Sequence, residues 1–147
     1  MTMTRLAAAG RAYFAYGSNM DVAQMRRRCP SAHLVGVGYL PGHRFFINSR
    51  GVASIAAEVD SHVLGLEWII DYKDELELDR FEGVPIHYKR YELMVESMRG
   101  SARCLTYIAN DCRRGIPRPQ YLERIIIAAQ SARLDQAYIE ELQTWSA

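Results

Sequence analysis

Tyr16-Gly17-Ser18-Asn19-Met20 joins a short apolar run, Ala12-Tyr13-Phe14-Ala15, to Asp21-Val22-Ala23-Gln24-Met25-Arg26-Arg27-Arg28. The first flank reads as a strand and the second as a helix, so the pentapeptide is a strand-to-helix turn. Backbone N–H groups at such a junction lack helical partners, converge on one spot and suit an anion. Gly17 would let the backbone take a turn that a side chain forbids. Ser18 and Asn19 can add side-chain hydrogen bonds or close the turn locally. By spacing alone, an ordinary turn with Asp21 or Asn19 capping the helix is the simpler account, because short glycine-containing matches are weak evidence.

Downstream of the helix, Pro30 ends the helical run and a β-rich half begins. Leu34 to Leu40 reads as a strand whose glycines, Gly36 and Gly38, suit curvature or a bulge. Pro41-Gly42 breaks it, and His43 to Asn48 reads as the next strand. Val52 to Val59 and Val63 to Ile70 form a hairpin pattern around Asp60-Ser61. Asp71 can N-cap a helix over Tyr72 to Phe81, which Gly83 stops, leaving Glu82 at its frayed end. Tyr91 to Glu96 and Ala102 to Ile108 alternate as two more strands, turned at Arg99-Gly100. Pro117-Arg118-Pro119 opens a helix over Gln120 to Ala132. Asp135 can cap a last helix with Tyr138, Ile139, Leu142 and Trp145 on one face. The fold class is α+β: six or seven short strands in a small, curled, mixed but mostly antiparallel barrel, with flanking helices.

At 147 residues and 49% hydrophobic, the chain is long enough for one domain with a core that needs no disulfides. Residues 1–10 read as a loose tail and 11–147 as a single domain. A net charge of +1 gives no global pull toward nucleic acid or membrane, and Arg26-Arg27-Arg28 reads as a solvated helix end. No stretch has the length or apolarity of a signal peptide or a membrane span. Cys29, Cys104 and Cys112 have no metal-ligand spacing and read as reduced thiols of a cytoplasmic protein. The four histidines, 33, 43, 62 and 87, form no ligand pair. No metal and no cofactor are expected. Monomer and homodimer are both compatible with the sequence.

A second segment sharpens the reading of the turn: Leu78-Asp79-Arg80-Phe81-Glu82-Gly83-Val84, followed by Tyr88 and Tyr91. With Tyr16 to Met20, with Pro119-Gln120-Tyr121 and with the strands around Gly51 to Ile55 and Val63 to Trp68, it resembles the γ-glutamylcyclotransferase family, whose fold is also called AIG2-like. The resemblance runs from about Tyr13 to about Leu142, and the order and spacing of the elements carry it. It implies a mixed barrel with flanking helices and a small-molecule γ-glutamyl substrate. In the implied reaction the substrate's α-amine attacks its own γ-carbonyl, releasing 5-oxoproline and a free amino acid or amine.

The resemblance assigns the acid–base role to Glu82, matched to the family's Glu-Gly-Val acid. Phe81 and Tyr88 are neighbours able to raise its pKa. Read without the resemblance, Glu82 is a surface acid at a helix end. Backbone donors of Gly17, Ser18, Asn19 and Met20 would grip the α-carboxylate and the developing oxyanion. Tyr16 would serve as a wall or a hydroxyl donor, and Tyr88 and Tyr121 as pocket walls. The chain departs from the glutathione-acting branch at His87, where a small residue is expected, and at Ile125 to Ala129, which lacks that branch's glycine. Other γ-glutamyl substrates, such as γ-glutamyl-amines or biosynthetic conjugates, therefore stay open, as does a non-catalytic ligand-binding protein of the same fold.

Overall fold

Five strands close on themselves in the order β1-β3-β2-β4-β5: β1 Arg11–Ala15, β2 His33–Ile47, β3 Ala53–Ile70, β4 Tyr88–Ser97 and β5 Gly100–Ala109. This computed structural model describes residues 10–146. The expected tail over 1–10 lies, apart from Gly10, outside the described residues. Neighbouring strands run antiparallel except where β1 meets β5 in parallel at Tyr13 and Leu105, so the barrel is mixed as expected.

The strand count is five rather than six or seven, and the correction has one cause. Leu34–Leu40 and His43–Asn48, read as separate strands, are a single β2, and the supposed hairpin at Asp60-Ser61 is an irregularity within a single β3. Gly42 alone lies opposite 58–61, where the register shifts from Pro41↔His62 to His43↔Ala57. Two breaks facing each other across a ladder make one wide bulge, which the strands continue past.

Phe14 explains two glycines. A Cβ on Gly38 would fall 3.0 Å from Phe14 Cε1 and 2.9 Å from Val95 Cγ1, and one on Gly65 would fall 2.3 Å from the Ala15 carbonyl oxygen. The paired Gly38 and Gly65 thus clear the space that the Phe14 ring occupies. Gly36 instead marks a bulge, at a register shift and with φ of 147°.

Four helices flank the barrel: α1 Val22–Arg28, α2 Tyr72–Glu82, α3 Tyr121–Ser131 and α4 Gln136–Gln143. Asp71 caps α2 in a reciprocal box with Asp74, and Gly83 ends it in the left-handed conformation at φ 69°. Asp135 precedes α4 as expected, but its side chain makes no cap bond. Tyr138, Ile139 and Leu142 are buried as one face of α4, while Trp145 is only half-buried under the Arg114 guanidinium. Cys29 and Cys104 are buried free thiols, and Cys112 is an exposed one. No helix among the described residues is long and apolar enough to cross a membrane.

Candidate active site

The turn after β1 begins the site. Ser18–Met20 forms one 3-10 turn, and Asp21 then caps α1 by accepting from the Gln24 amide at 3.1 Å. The Met20 amide donates to the Gly17 carbonyl at 3.0 Å. The amides of Gly17, Ser18 and Asn19 have no acceptor among the described residues. Gly17 adopts φ −121° and ψ −129°, and an added Cβ would stand in ordinary contact, 3.5 Å from Ala53 Cβ.

α2 brings the acid. Leu78 is buried, and Asp79 accepts from the Tyr107 hydroxyl and from Arg90 Nη1, both at 2.7 Å. These contacts pin the last turn of α2 to β5 and β4, so Glu82 is presented beside the β1 turn. Together these elements enclose a cavity of about 290 Å³. Tyr16, Gly17, Ser18, Asn19, Glu82, Tyr88 and Tyr121 all line it, and Met20 does not. Met20 is buried against a separate cleft between α1, β2 and α3, and its amide is already engaged, so it offers the cavity nothing.

The Glu82 carboxyl has no hydrogen-bond or ion-pair partner among the described residues. Glu82 as a residue is half-buried, with the cavity as its opening, but protein surrounds its carboxyl. Burial raises that carboxyl from an ordinary value of 4.5 to about 7, against the opposing pull of the Arg28 guanidinium.

The tyrosines divide their work. Tyr16 is buried and its hydroxyl donates to the Tyr107 carbonyl at 2.5 Å, so Tyr16 is a wall and not a free donor. The Tyr88 hydroxyl donates to the Ala53 carbonyl at 2.6 Å. The Tyr121 hydroxyl accepts from the Ala53 amide at 3.0 Å, which leaves its own proton to donate. Asn19 is used at both ends: its Nδ2 donates to the Tyr13 hydroxyl at 2.9 Å, and its Oδ1 accepts from Arg28 Nη1 at 2.7 Å. Its side chain positions Arg28, whose guanidinium lies 4.3 Å from the Phe81 ring centre.

Three arginines line the cavity that sequence reasoning missed: Arg28, Arg50 and Arg118. Arg28 did carry a signal. It lies three residues after the buried Met25, on the same face of α1, whereas Arg26 and Arg27 are exposed as expected. Arg50 and Arg118 carried none, because only the fold joins them. Arg118 donates its amide to the Gly51 carbonyl at 3.0 Å and its Nε to the Arg50 carbonyl at 2.8 Å. Gly51 permits this docking: its φ is 81°, and a Cβ would strike Arg118 Cγ at 2.8 Å. None of the three guanidiniums has an acidic partner among the described residues. The described residues hold no group of three His, Cys, Asp or Glu side chains placed for a metal ion.

An AIG2-like family model matches residues 62–142. The γ-glutamylcyclotransferase of Mus musculus is 30% identical over 143 residues, covering 89% of this chain and 76% of the mouse protein. The Homo sapiens γ-glutamylcyclotransferase matches to the same extent. A solved structure of a γ-glutamyl cyclotransferase superposes with a TM-score of 0.83 at 28% identity, covering 91% of this chain and 86% of that one. The chain therefore belongs to the γ-glutamylcyclotransferase family, whose AIG2-like fold it carries.

Proposed function

We propose that this protein is a cyclotransferase that closes a γ-glutamyl amide on itself, releasing 5-oxoproline and a free amino acid or amine. Family membership supports the reaction class. The observation that carries the assignment to residues is the unpartnered Glu82 carboxyl in the cavity, held at about 7.

The substrate's α-amine is protonated in water and must lose that proton before it attacks. A carboxyl titrating near neutrality accepts it and returns it with little penalty in either direction. The new C–N bond closes a five-membered lactam, and the old amide C–N bond breaks as Glu82 passes the proton to the leaving nitrogen. Nucleophile and electrophile share one molecule, so the cavity's main task is to hold the bent conformer. The free amides of Gly17, Ser18 and Asn19, with Arg28, would hold the α-carboxylate. The Tyr121 hydroxyl is the donor for the developing oxyanion, since its own acceptor position is taken by Ala53. Tyr16 and Tyr88 wall the glutamyl chain.

Product analysis tests this reading. Incubation with γ-glutamyl-alanine should yield 5-oxoproline and alanine in equal amounts. Glutamate and alanine would mean hydrolysis instead, and an unchanged substrate across a panel of γ-glutamyl amino acids and amines would remove the enzyme assignment.

A further inference from the structure

We propose that Tyr107 is a positioning residue: its hydroxyl, acting through Asp79, fixes the spacing between the Glu82 acid and the β1 turn. The proposal rests on the cyclotransferase reading above and names what aligns its acid with its anion-binding turn.

That reading engages two groups of a single substrate carbon. The α-carboxylate sits on the turn and the α-amine at Glu82, so turn and acid must keep a fixed separation. The Glu82 carboxyl has no hydrogen-bond partner among the described residues to hold it there. Its place therefore depends on the last turn of α2. Asp79 lies three residues before Glu82, on the same face of that helix. Its carbonyl accepts the Val84 amide at 3.0 Å and closes the helix end, while its carboxylate reaches β5 and β4.

Tyr107 ties into both halves of the site. Its hydroxyl donates to Asp79 at 2.7 Å, and its carbonyl accepts from the Tyr16 hydroxyl at 2.5 Å, at the entry to the turn. The ring is buried and packs edge-on to Tyr13, with 6.0 Å between centres. Burial and the Asp79 carboxylate push the phenol far above its ordinary range, so it stays a donor. Arg90 also bonds Asp79, but its other partner is Glu75 of the same helix, so it holds α2 to β4 and not to the turn.

Tyr107→Phe deletes the hydroxyl and keeps both the ring and the carbonyl that Tyr16 uses. Asp79→Ala deletes the acceptor, and Asp79→Asn keeps an oxygen for Tyr107 while giving up the charge that Arg90 uses. Glu82 faces Arg28 from α1, Tyr13 and Tyr16 from β1, Tyr88 from β4 and Tyr121 from α3, and these substitutions leave all five in place. With γ-glutamyl-alanine, kcat should fall about tenfold or more in Tyr107→Phe and in Asp79→Ala, with KM within about threefold, the pattern of a misplaced acid beside an intact turn. Combining the two should be no slower than the slower single variant, and Asp79→Asn should keep kcat within about threefold of the wild type. The Glu82 carboxyl, followed by NMR and assigned by its loss in Glu82→Gln, should titrate below about 7 in Tyr107→Phe, as water reaches it.

A merely structural bond would lower Tm and move neither kcat nor the titration. An unmoved titration, an unchanged kcat in Tyr107→Phe, or an Asp79→Asn as slow as Asp79→Ala would overturn the positioning role. Should Tyr107→Phe fail to fold, Asp79→Ala against Asp79→Asn makes the same comparison in both readouts. The titration needs no turnover. A wild type that releases no 5-oxoproline, with the Glu82 titration still shifted in Tyr107→Phe, would count against the cyclotransferase reading and not against the positioning role.

Discussion

Tyr88 and Tyr121 grip opposite sides of one residue: the Tyr88 hydroxyl donates to the Ala53 carbonyl, and the Tyr121 hydroxyl accepts from the Ala53 amide. One phenol therefore has spent its proton and the other has not. Tyr121 faces the cavity as a donor and Tyr88 as a wall.

Tyr121→Phe should lower kcat about a hundredfold, the scale of losing one oxyanion donor. Tyr88→Phe should cost about 1–2 kcal/mol of stability, because it orphans a buried carbonyl, and leave kcat within about tenfold. Steady-state kinetics and denaturant melts on the two variants decide this. A larger kcat loss in Tyr88→Phe would reverse the assignment.

Glu82 gives opposite pH trends for activity and stability. In the proposed mechanism the carboxylate is the working form, so kcat/KM should rise with pH through about 7. Its folded pKa lies above the unfolded value, so the folded state binds more protons between 4.5 and about 7. Stability from this group is thus greatest in acid and is lost as pH rises through that window. The loss is at most about 3 kcal/mol, reduced by the water that reaches Glu82 through the cavity. Glu82→Gln should therefore melt above the wild type at pH 8 and level with it at pH 4. A lower Tm at pH 8 would contradict the burial of an ionised acid.

Ser18→Pro should preserve the fold, because proline suits a first helical position, and should weaken substrate binding about tenfold or more by deleting one free amide. Calorimetry with γ-glutamyl-alanine measures the change, and unchanged affinity would make the β1 turn a purely structural feature.

Glu67 and Arg99 lie away from the cavity. Glu67 is fully buried, accepts from Arg99 Nη2 at 2.6 Å, and has one carboxylate oxygen without a partner. Arg99→Met should destabilise the protein by about 3 kcal/mol, because it strands a buried charge, and adding Glu67→Gln should recover part of that. Denaturant melts of the single and double variants test this. A single variant as stable as the wild type would mean that the pair contributes nothing.

Much of this was readable in the chain because it depends on local chemistry. The Asp71 cap, the Gly83 stop and the position of Glu82 follow from residues within one helix. The Tyr16 to Met20 turn is likewise local, as are the strands flanking Gly100. Pro41-Gly42 and Asp60-Ser61 misled because each is a true local break, and only their pairing across the ladder turns them into one bulge. The Met20 backbone amide and the Asn19 side-chain amide are taken up by Gly17 and Tyr13, and no spacing rule reports such an exchange. Arg50 and Arg118 meet through a backbone carbonyl between segments far apart in sequence, so their shared wall exists only in the folded chain.

The most direct test measures 5-oxoproline release and γ-glutamyl-alanine affinity together, in the wild type and in Glu82→Gln. The account predicts release in the wild type, none in the variant, and Kd values within about tenfold of each other, since the amide keeps the shape of the acid but cannot take the proton. Undiminished release from Glu82→Gln would contradict it.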